Sequence, residues 1–301
     1  MRAAVFDEYG PPGVLRIAEL PDPAPGPGEV LVRVRAAGVQ PFDVAVRRGT
    51  MPWVRAVFPQ QIGQEYAGVV EAVGEGVDGL APGDAVLGST MLNAVAELLT
   101  VPAGNVVAKP ESLGFATAAG LVAASQTASG ALLELGVTAE DVLLVHAGAG
   151  SVGTVATQLA RLAGATVIGT ASVGNHDHLR ELGAVAVPYG AGLIEAVTAT
   201  GLKPTVSLDA AGGEAIAQSI ALGIAPQRVG TIVDDRAAAE HGASVVRAGR
   251  SPARLAEVIA LAAAGKVVMP VRAYPFEEVV AAHTAVESRH GRGKVVVTIS
   301  G

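Results

Sequence analysis

Between Val145 and Ser172 the chain reads VHAGAGSVGTVATQLARLAGATVIGTAS, with Gly148, Gly150 and Gly153 at G-x-G-x-x-G spacing. The run before the glycines, DVLLVH, has the length and apolarity of a buried strand. The run after them puts Val155, Leu159 and Leu162 at i, i+4 and i+7, one face of a helix. A strand that turns into a helix on bare glycine lets the backbone approach something closely. Gly148 permits the tight turn, Gly150 has no Cβ to keep a diphosphate away, and Gly153 lets the helix pack against the strand. The pattern predicts that the amides around Ser151, Val152 and Gly153 face bound phosphate with the helix dipole behind them. A close-packed turn with no ligand is the alternative.

What surrounds this turn narrows the fold. From about residue 115 strand-like and helix-like runs alternate: DVLLVH, SVGTVATQLARLAG, ATVIGT, NHDHLRELG, AVAVPY, PTVSLDAA, GGEAIAQSIALG and RVGTIVDD. Short apolar strands spaced by helices predict a doubly wound parallel sheet of the Rossmann kind, covered on both faces. The first third differs. MRAAVFDEY, VLRIAEL and EVLVRVRAAGV are short β-rich runs broken by Pro and Gly, and glycine recurs every few residues in EYAGVVEAVGEGVDGLAPGDAVLG, as strands bending around a small barrel require. β-like character returns in KVVMPVRAYPF and GKVVVTIS. The expected organisation is therefore a β-barrel domain over 1–117 and 265–301, with a dinucleotide-binding domain over 118–264 inserted in it and the functional cleft between them.

Composition excludes several classes. Lys plus Arg is 21 against 28 for Asp plus Glu, a formal charge of −7, which offers nucleic acid and anionic lipid no bulk attraction. There is no cysteine, so disulfides and thiolate zinc sites are excluded. The N-terminal run lacks the apolar stretch of a secretory signal, and no membrane span is expected. The expectation is a cytoplasmic protein acting on a small molecule.

The second strand of the alternating region ends in Gly169-Thr170-Ala171-Ser172, and the next acidic residue is Asp177. A site for NAD places a carboxylate near this point for the ribose 2′-hydroxyl, and that charge would repel a 2′-phosphate. Serine there favours NADP(H). Asn175 and His176 stand where they can contact the phosphate, although Asn175 also reads as the N-cap of a polar helix start.

With these residues in view, the chain resembles the zinc-independent quinone oxidoreductase branch of the medium-chain dehydrogenase/reductase superfamily. The likeness runs through AAVFDEYGPPGVL, IGQEYAGVVEAVGEGV, GDAVLG, VLLVHAGAGSVG, VIGTAS and RGKVVVTI. It implies a GroES-like barrel joined to a Rossmann domain, a nicotinamide cofactor and a homodimer, with ASVVRAG as a candidate edge strand. It also implies roles for single residues. Thr127 would lie on the nicotinamide side, Tyr189 and Arg289 near the adenosine 2′-phosphate, and Asp209 and Val233 at strand ends bordering the cofactor. Tyr189 and Arg289 read equally well as surface turn residues.

Zinc members of the superfamily carry Gly-His-Glu, an upstream Cys ligand and a four-cysteine lobe. Here the motif is Gly63-Gln64-Glu65, and Leu87 to Pro102 is too short for the lobe. Without a Lewis acid the resemblance implies hydride addition to an already activated acceptor, a quinone or an enone. The substrate side reads Gly38-Val39-Gln40 with Asp43, where the family pattern has Asn in place of Gln40. Met51, Trp53 and Gln64 are the further candidates for its walls, and Trp53 can equally be a packed barrel residue. Gln40, Asp43 and Tyr66 are the candidate catalytic residues, Tyr66 as a proton donor, although GQEYAGV also reads as a buried strand. Glu65 and Asp84 read as structural. Two other readings stay open: a nucleotide-binding regulator or sequestering protein with little redox activity, and a biosynthetic ketone reductase or cyclase.

Overall fold

The computed structural model describes residues 1–247, 249–288 and 291–300. In chain order the elements are β1 (Arg2–Phe6), β2 (Leu15–Glu19), β3 (Glu29–Val39), α1 (Pro41–Arg47), β4 (Gln60–Gln61), β5 (Glu65–Val73), β6 (Ala85–Ser89), β7 (Leu98–Pro102) and β8 (Val106–Ala108). There follow α2 (Phe115–Glu134), β9 (Val142–His146), α3 (Ser151–Leu162), β10 (Thr166–Ala171), α4 (His176–Glu181), β11 (Val185–Pro188), α5 (Leu193–Ala199), β12 (Val206–Asp209) and α6 (Ala215–Ala221). The chain closes with β13 (Val229–Thr231), α7 (Asp235–His241), β14 (Ser244–Val245), α8 (Pro252–Ala263), β15 (Val271–Pro275), α9 (Val279–Glu287) and β16 (Lys294–Thr298).

These elements form two compact units. One comprises Met1–Ala123, Leu255–Ala264 and Met269–Gly301; the other comprises Ala124–Arg254 and Gly265–Val268. The first boundary falls inside α2, later than the composition shift suggested. The reason is visible locally: the Ala123 N–H donates to Glu65 Oε2 on β5 at 2.7 Å, which ties the first half of α2 to the barrel.

In the barrel unit β3 is the spine. Its 11 residues pair antiparallel with β5, β7 and β16, within a seven-stranded sheet ordered β15-β16-β3-β5-β6-β8 with β7 against β3. The register against β5 slips twice, between Leu31/Val32 and Val34/Ala36, and such bulges bend a strand. Gly68 on β5 sits where any Cβ would lie 2.3 Å from the Arg33 carbonyl oxygen, so only glycine lets the two strands close here. A second sheet, β2-β1-β4, completes the unit. Phe6, Val30, Val32, Val34, Val70, Val86, Leu99 and Val297 are buried together in one core. The C-terminal strands β15 and β16 run parallel to each other, because α9 intervenes as the crossover that a parallel pair needs.

In the other unit all strand pairings are parallel, in the order β11-β10-β9-β12-β13-β14. Counted from β9 this is 3-2-1-4-5-6, the doubly wound order, which reverses direction at β9. Ligands of such sheets bind at the carboxyl ends of the strands at that reversal. The glycine turn follows directly from β9. Among the described residues no helix is long and apolar enough to cross a membrane.

Candidate functional site

The glycine turn begins under strain. Ala147, a residue with a Cβ, has φ +56°, and it is held by its N–H donating to Thr170 Oγ1 at 3.2 Å. Gly148 N–H then donates to the Thr170 carbonyl at 2.8 Å, which docks the turn on the end of β10. Gly150 is the N-cap of α3 with extended backbone and no side-chain cap. The amides of Ser151, Val152 and Gly153 are the first of the helix and have no partner within it. Above Gly150 the only atom of the described residues near an added Cβ would be the Ala147 carbonyl oxygen, at 3.3 Å. The three residues thus present uncapped amides and no side chain at the N-cap, which is the donor set that fits a diphosphate.

At the end of β10, exposed Ser172 N-caps a short 3-10 turn, and Asn175 Nδ2 donates to Ser172 Oγ at 3.2 Å. Asn175 occupies the N-cap position of α4 but makes no capping bond there, because its side chain is spent on Ser172. His176 Nε2 donates to the Ala171 carbonyl at 3.2 Å. At the strand end Asn175 is thus bonded to Ser172, and His176 to the neighbouring Ala171. Asp209 is placed differently from a ligand-facing carboxylate. It is buried, with Oδ1 accepting from the Ala211 and Gly212 amides at 2.8 Å each and Oδ2 from Thr231 Oγ1 at 2.7 Å. One oxygen serves the loop after β12 and the other the last residue of β13. Tyr189 and Val233 are exposed at their strand ends, Thr127 is half-buried in α2, and Arg289 lies outside the described residues.

A buried polar chain behind the turn gave no signal in the sequence. His146, the last residue of β9, bonds through Nε2 to Ser219 Oγ at 2.9 Å, and Ser219 bonds to Ser207 Oγ at 2.9 Å. Burial pushes the His146 ring down to about 4, against the pull of the Asp209 carboxylate. Unfolded, the ring takes up its proton near 6.5, so this contribution to stability is complete above that pH and is lost as pH falls below it. Between pH 7 and 5 the unit should lose about 2 kcal/mol on this account, and His146→Gln should flatten the loss in thermal unfolding.

In the barrel unit a second cluster forms where β3 meets α1 and β5. Asp43 Oδ2 accepts from the Gln40 N–H at 2.9 Å, and Gln40 Nε2 donates to Gln64 Oε1 at 3.1 Å. Gln64 Nε2 in turn faces Met91 Sδ at 3.3 Å. The two glutamines at the positions that the resemblance singled out are thus joined amide to amide. Asp43 is buried, and burial pushes its carboxyl up to about 7 against the pull of the Gln40 N–H and the Lys294 charge. Beside it the Glu65 carboxylate makes a buried ion pair with Lys294. The Trp53 ring is 64% exposed and stacks on Phe42 with centroids 5.3 Å apart at 30°, so it is no core residue. Met51 is half-buried against the barrel core.

Tyr66 is placed otherwise than a proton donor requires. It is fully buried on β5 within the core, its hydroxyl has no hydrogen-bond partner among the described residues, and burial pushes its pKa up. The alternation of the strand turns this ring inward, so the buried-strand reading of GQEYAGV describes its position. His283 is a further buried ring without a hydrogen-bond partner among the described residues, driven down to about 3 by burial and by the neighbouring Arg47 charge. On acidification it and Asp43 act on the barrel in opposite directions. A base held neutral loses stability as pH falls below 6.5, while a carboxyl raised from 3.8 to about 7 gains it as pH falls below 7.

Two family descriptions match the chain: Alcohol dehydrogenase GroES-like domain over residues 26–133 and Zinc-binding dehydrogenase over residues 172–297. Among solved structures, a mycobacterial quinone oxidoreductase is similar with a TM-score of 0.81 at 30% identity, with 99% of each chain covered. An NAD-dependent alcohol dehydrogenase gives 0.89 at 30% identity over 100% of both chains, and CurK enoyl reductase gives 0.88 at 26% over 99% of both. The chain spans about half the length, or less, of the curated relatives it matches, from 4% to 53%.

Proposed function

Because the chain belongs to the quinone oxidoreductase-like branch of the medium-chain dehydrogenase/reductase superfamily, we propose that it is an NADPH-dependent reductase of quinones or α,β-unsaturated carbonyl compounds. The observation that carries the nucleotide half is the uncapped first turn of α3, with only one atom of the described residues near the space above Gly150. Ser151, Val152 and Gly153 supply backbone donors there, while Ser172, Asn175, His176 and Tyr189 stand at the strand ends beside it. Serine in place of a carboxylate leaves room for a 2′-phosphate. The bound nucleotide supplies hydride, and the protein binds, aligns and keeps water out.

On the barrel side Gln64, bonded to Gln40, stands at the motif position where zinc members have a histidine, and carboxamides are poor zinc ligands. This suits an acceptor whose electron deficiency needs no Lewis acid. Asp43, held near neutrality, is the titratable group closest in sequence to Gln40, and the exposed Trp53 ring offers a flat acceptor a stacking face. Anaerobic stopped-flow with NADPH and a panel of quinones and enones should show nucleotide oxidation well above the rate without acceptor. If no acceptor accelerates it, the reductase reading fails. Tight NADPH binding by calorimetry with no turnover would then favour a nucleotide-binding regulator, a reading to which the closed amide pair also lends itself. Tyr189→Ala should weaken NADPH more than NADH, and equal losses would refute its assignment to the phosphate.

A further inference from the structure

The loop that follows β6 is pinned onto the Gly63–Gln64 segment. The Thr90 N–H donates to the Gln64 carbonyl at 2.9 Å, and the Asn93 and Ala94 N–H groups donate to the Gly63 carbonyl at 3.0 and 3.2 Å. Thr90 Oγ1 donates to Asn93 Oδ1 at 2.6 Å, and Leu92 is held at φ +61°. This clamp fixes the residue between them, Met91. The residue is 56% exposed, yet its sulfur faces the amide nitrogen of Gln64, a residue only 5% exposed. The other three methionines are shielded: Met269 is 6% exposed, and Met1 and Met51 are half-buried. An exposed methionine whose sulfur is in hydrogen-bond contact with a buried side chain couples the outside of the barrel to its polar cluster.

We propose that Met91 is an oxidation site at which hydrogen peroxide resets the Gln40–Gln64 pair. A sulfur lone pair attacks one peroxide oxygen and forms the S–O bond as the O–O bond breaks. The transferred oxygen gives up its proton to the departing hydroxide, which leaves as water. Sulfur is oxidised by two electrons and peroxide is reduced by two, giving methionine sulfoxide. A thioether is a weak acceptor, while a sulfoxide oxygen is a strong one that stands a bond length beyond the sulfur. The Gln64 amide that faces sulfur in the reduced protein therefore turns toward the new oxygen, and its bond from Gln40 at 3.1 Å lengthens or breaks. Reduction of the sulfoxide restores the starting arrangement. That Gln40 and Gln64 meet a substrate rests on the proposed function; the oxidation and the amide shift do not.

The full-length chain is treated with hydrogen peroxide, and methionine oxidation is followed by peptide-mapping mass spectrometry. The side-chain amide resonances of Gln40 and Gln64 are followed in parallel by ¹H–¹⁵N NMR. Met91 should oxidise about tenfold faster than Met51 or Met269, since susceptibility follows exposure. Both glutamine signals should move in step with it, and methionine sulfoxide reductase should return them. Met91→Leu should hold the signals still at the same peroxide dose. Oxidation of Met51 as fast as Met91, or a Met91 sulfoxide that leaves both amides unmoved, overturns the proposal. Neither readout uses an acceptor, so the role of Met91 is tested even in a chain that reduces no quinone or enone.

Discussion

Gly150→Ala should leave the nucleotide-binding unit folded while weakening NADPH binding by at least about tenfold, or roughly 1.4 kcal/mol. Gly153→Ala, three residues along, should instead damage the fold. The difference is in what each new methyl meets. At Gly150 the backbone has φ −70°, open to any residue, and the only atom of the described residues near the Cβ is the Ala147 oxygen at 3.3 Å. That methyl would occupy the space assigned to the diphosphate. At Gly153 the Cβ would lie 2.5 Å from the Ala147 oxygen, 2.6 Å from Gly148 Cα and 2.7 Å from the Gly148 oxygen. All three are backbone atoms of a turn already docked on β10, so none can rotate away. The strain should cost about 3 kcal/mol, the upper end for overpacking, against a gain of at most about 1 kcal/mol from replacing glycine within a helix. Scanning fluorimetry and nucleotide calorimetry on the two variants separate the effects. Unchanged affinity in Gly150→Ala would remove the turn from the site.

Lys294→Met should lower the melting temperature of the barrel unit by about 10 °C. Lys294 and Glu65 have side chains 3% and 0% exposed, and removing the ammonium strands a carboxylate in the core, a loss of about 3–5 kcal/mol. The Glu65 carboxylate is hemmed in. Its Oε2 accepts from the Ala123 N–H, and its Oε1 lies where a Cβ on Gly38 would come within 2.3 Å. Glu65→Gln alone should also destabilise, because Lys294 is then the unpaired charge. The double variant should recover part of the loss, since the glutamine amide oxygen still accepts from Ala123 and neither member of the pair carries a charge. A Lys294→Met protein that melts within a degree or two of the parent would show that the pair contributes little.

The sequence resolved those features whose causes lie within a few residues of one another. The alternation of short apolar runs with amphipathic ones, the turn at Gly148, Gly150 and Gly153, and the serine ending β10 are local facts, and strand, turn and helix obey local rules. The doubly wound sheet followed from them, because strands separated by helices have one well-tested way to pack. Tertiary closure decided what depends on residues far apart in the chain. It engaged the two oxygens of Asp209 with the loop after β12 and with Thr231 at the end of β13, and brought Lys294 from the last strand onto Glu65. It also joined Gln40 to Gln64 and set Met91 against that pair. Each of these is an electrostatic or hydrogen-bonding match made across the interior, and a polar side chain looks the same in sequence whether it ends in water, in a ligand's path or against a partner brought there by the fold.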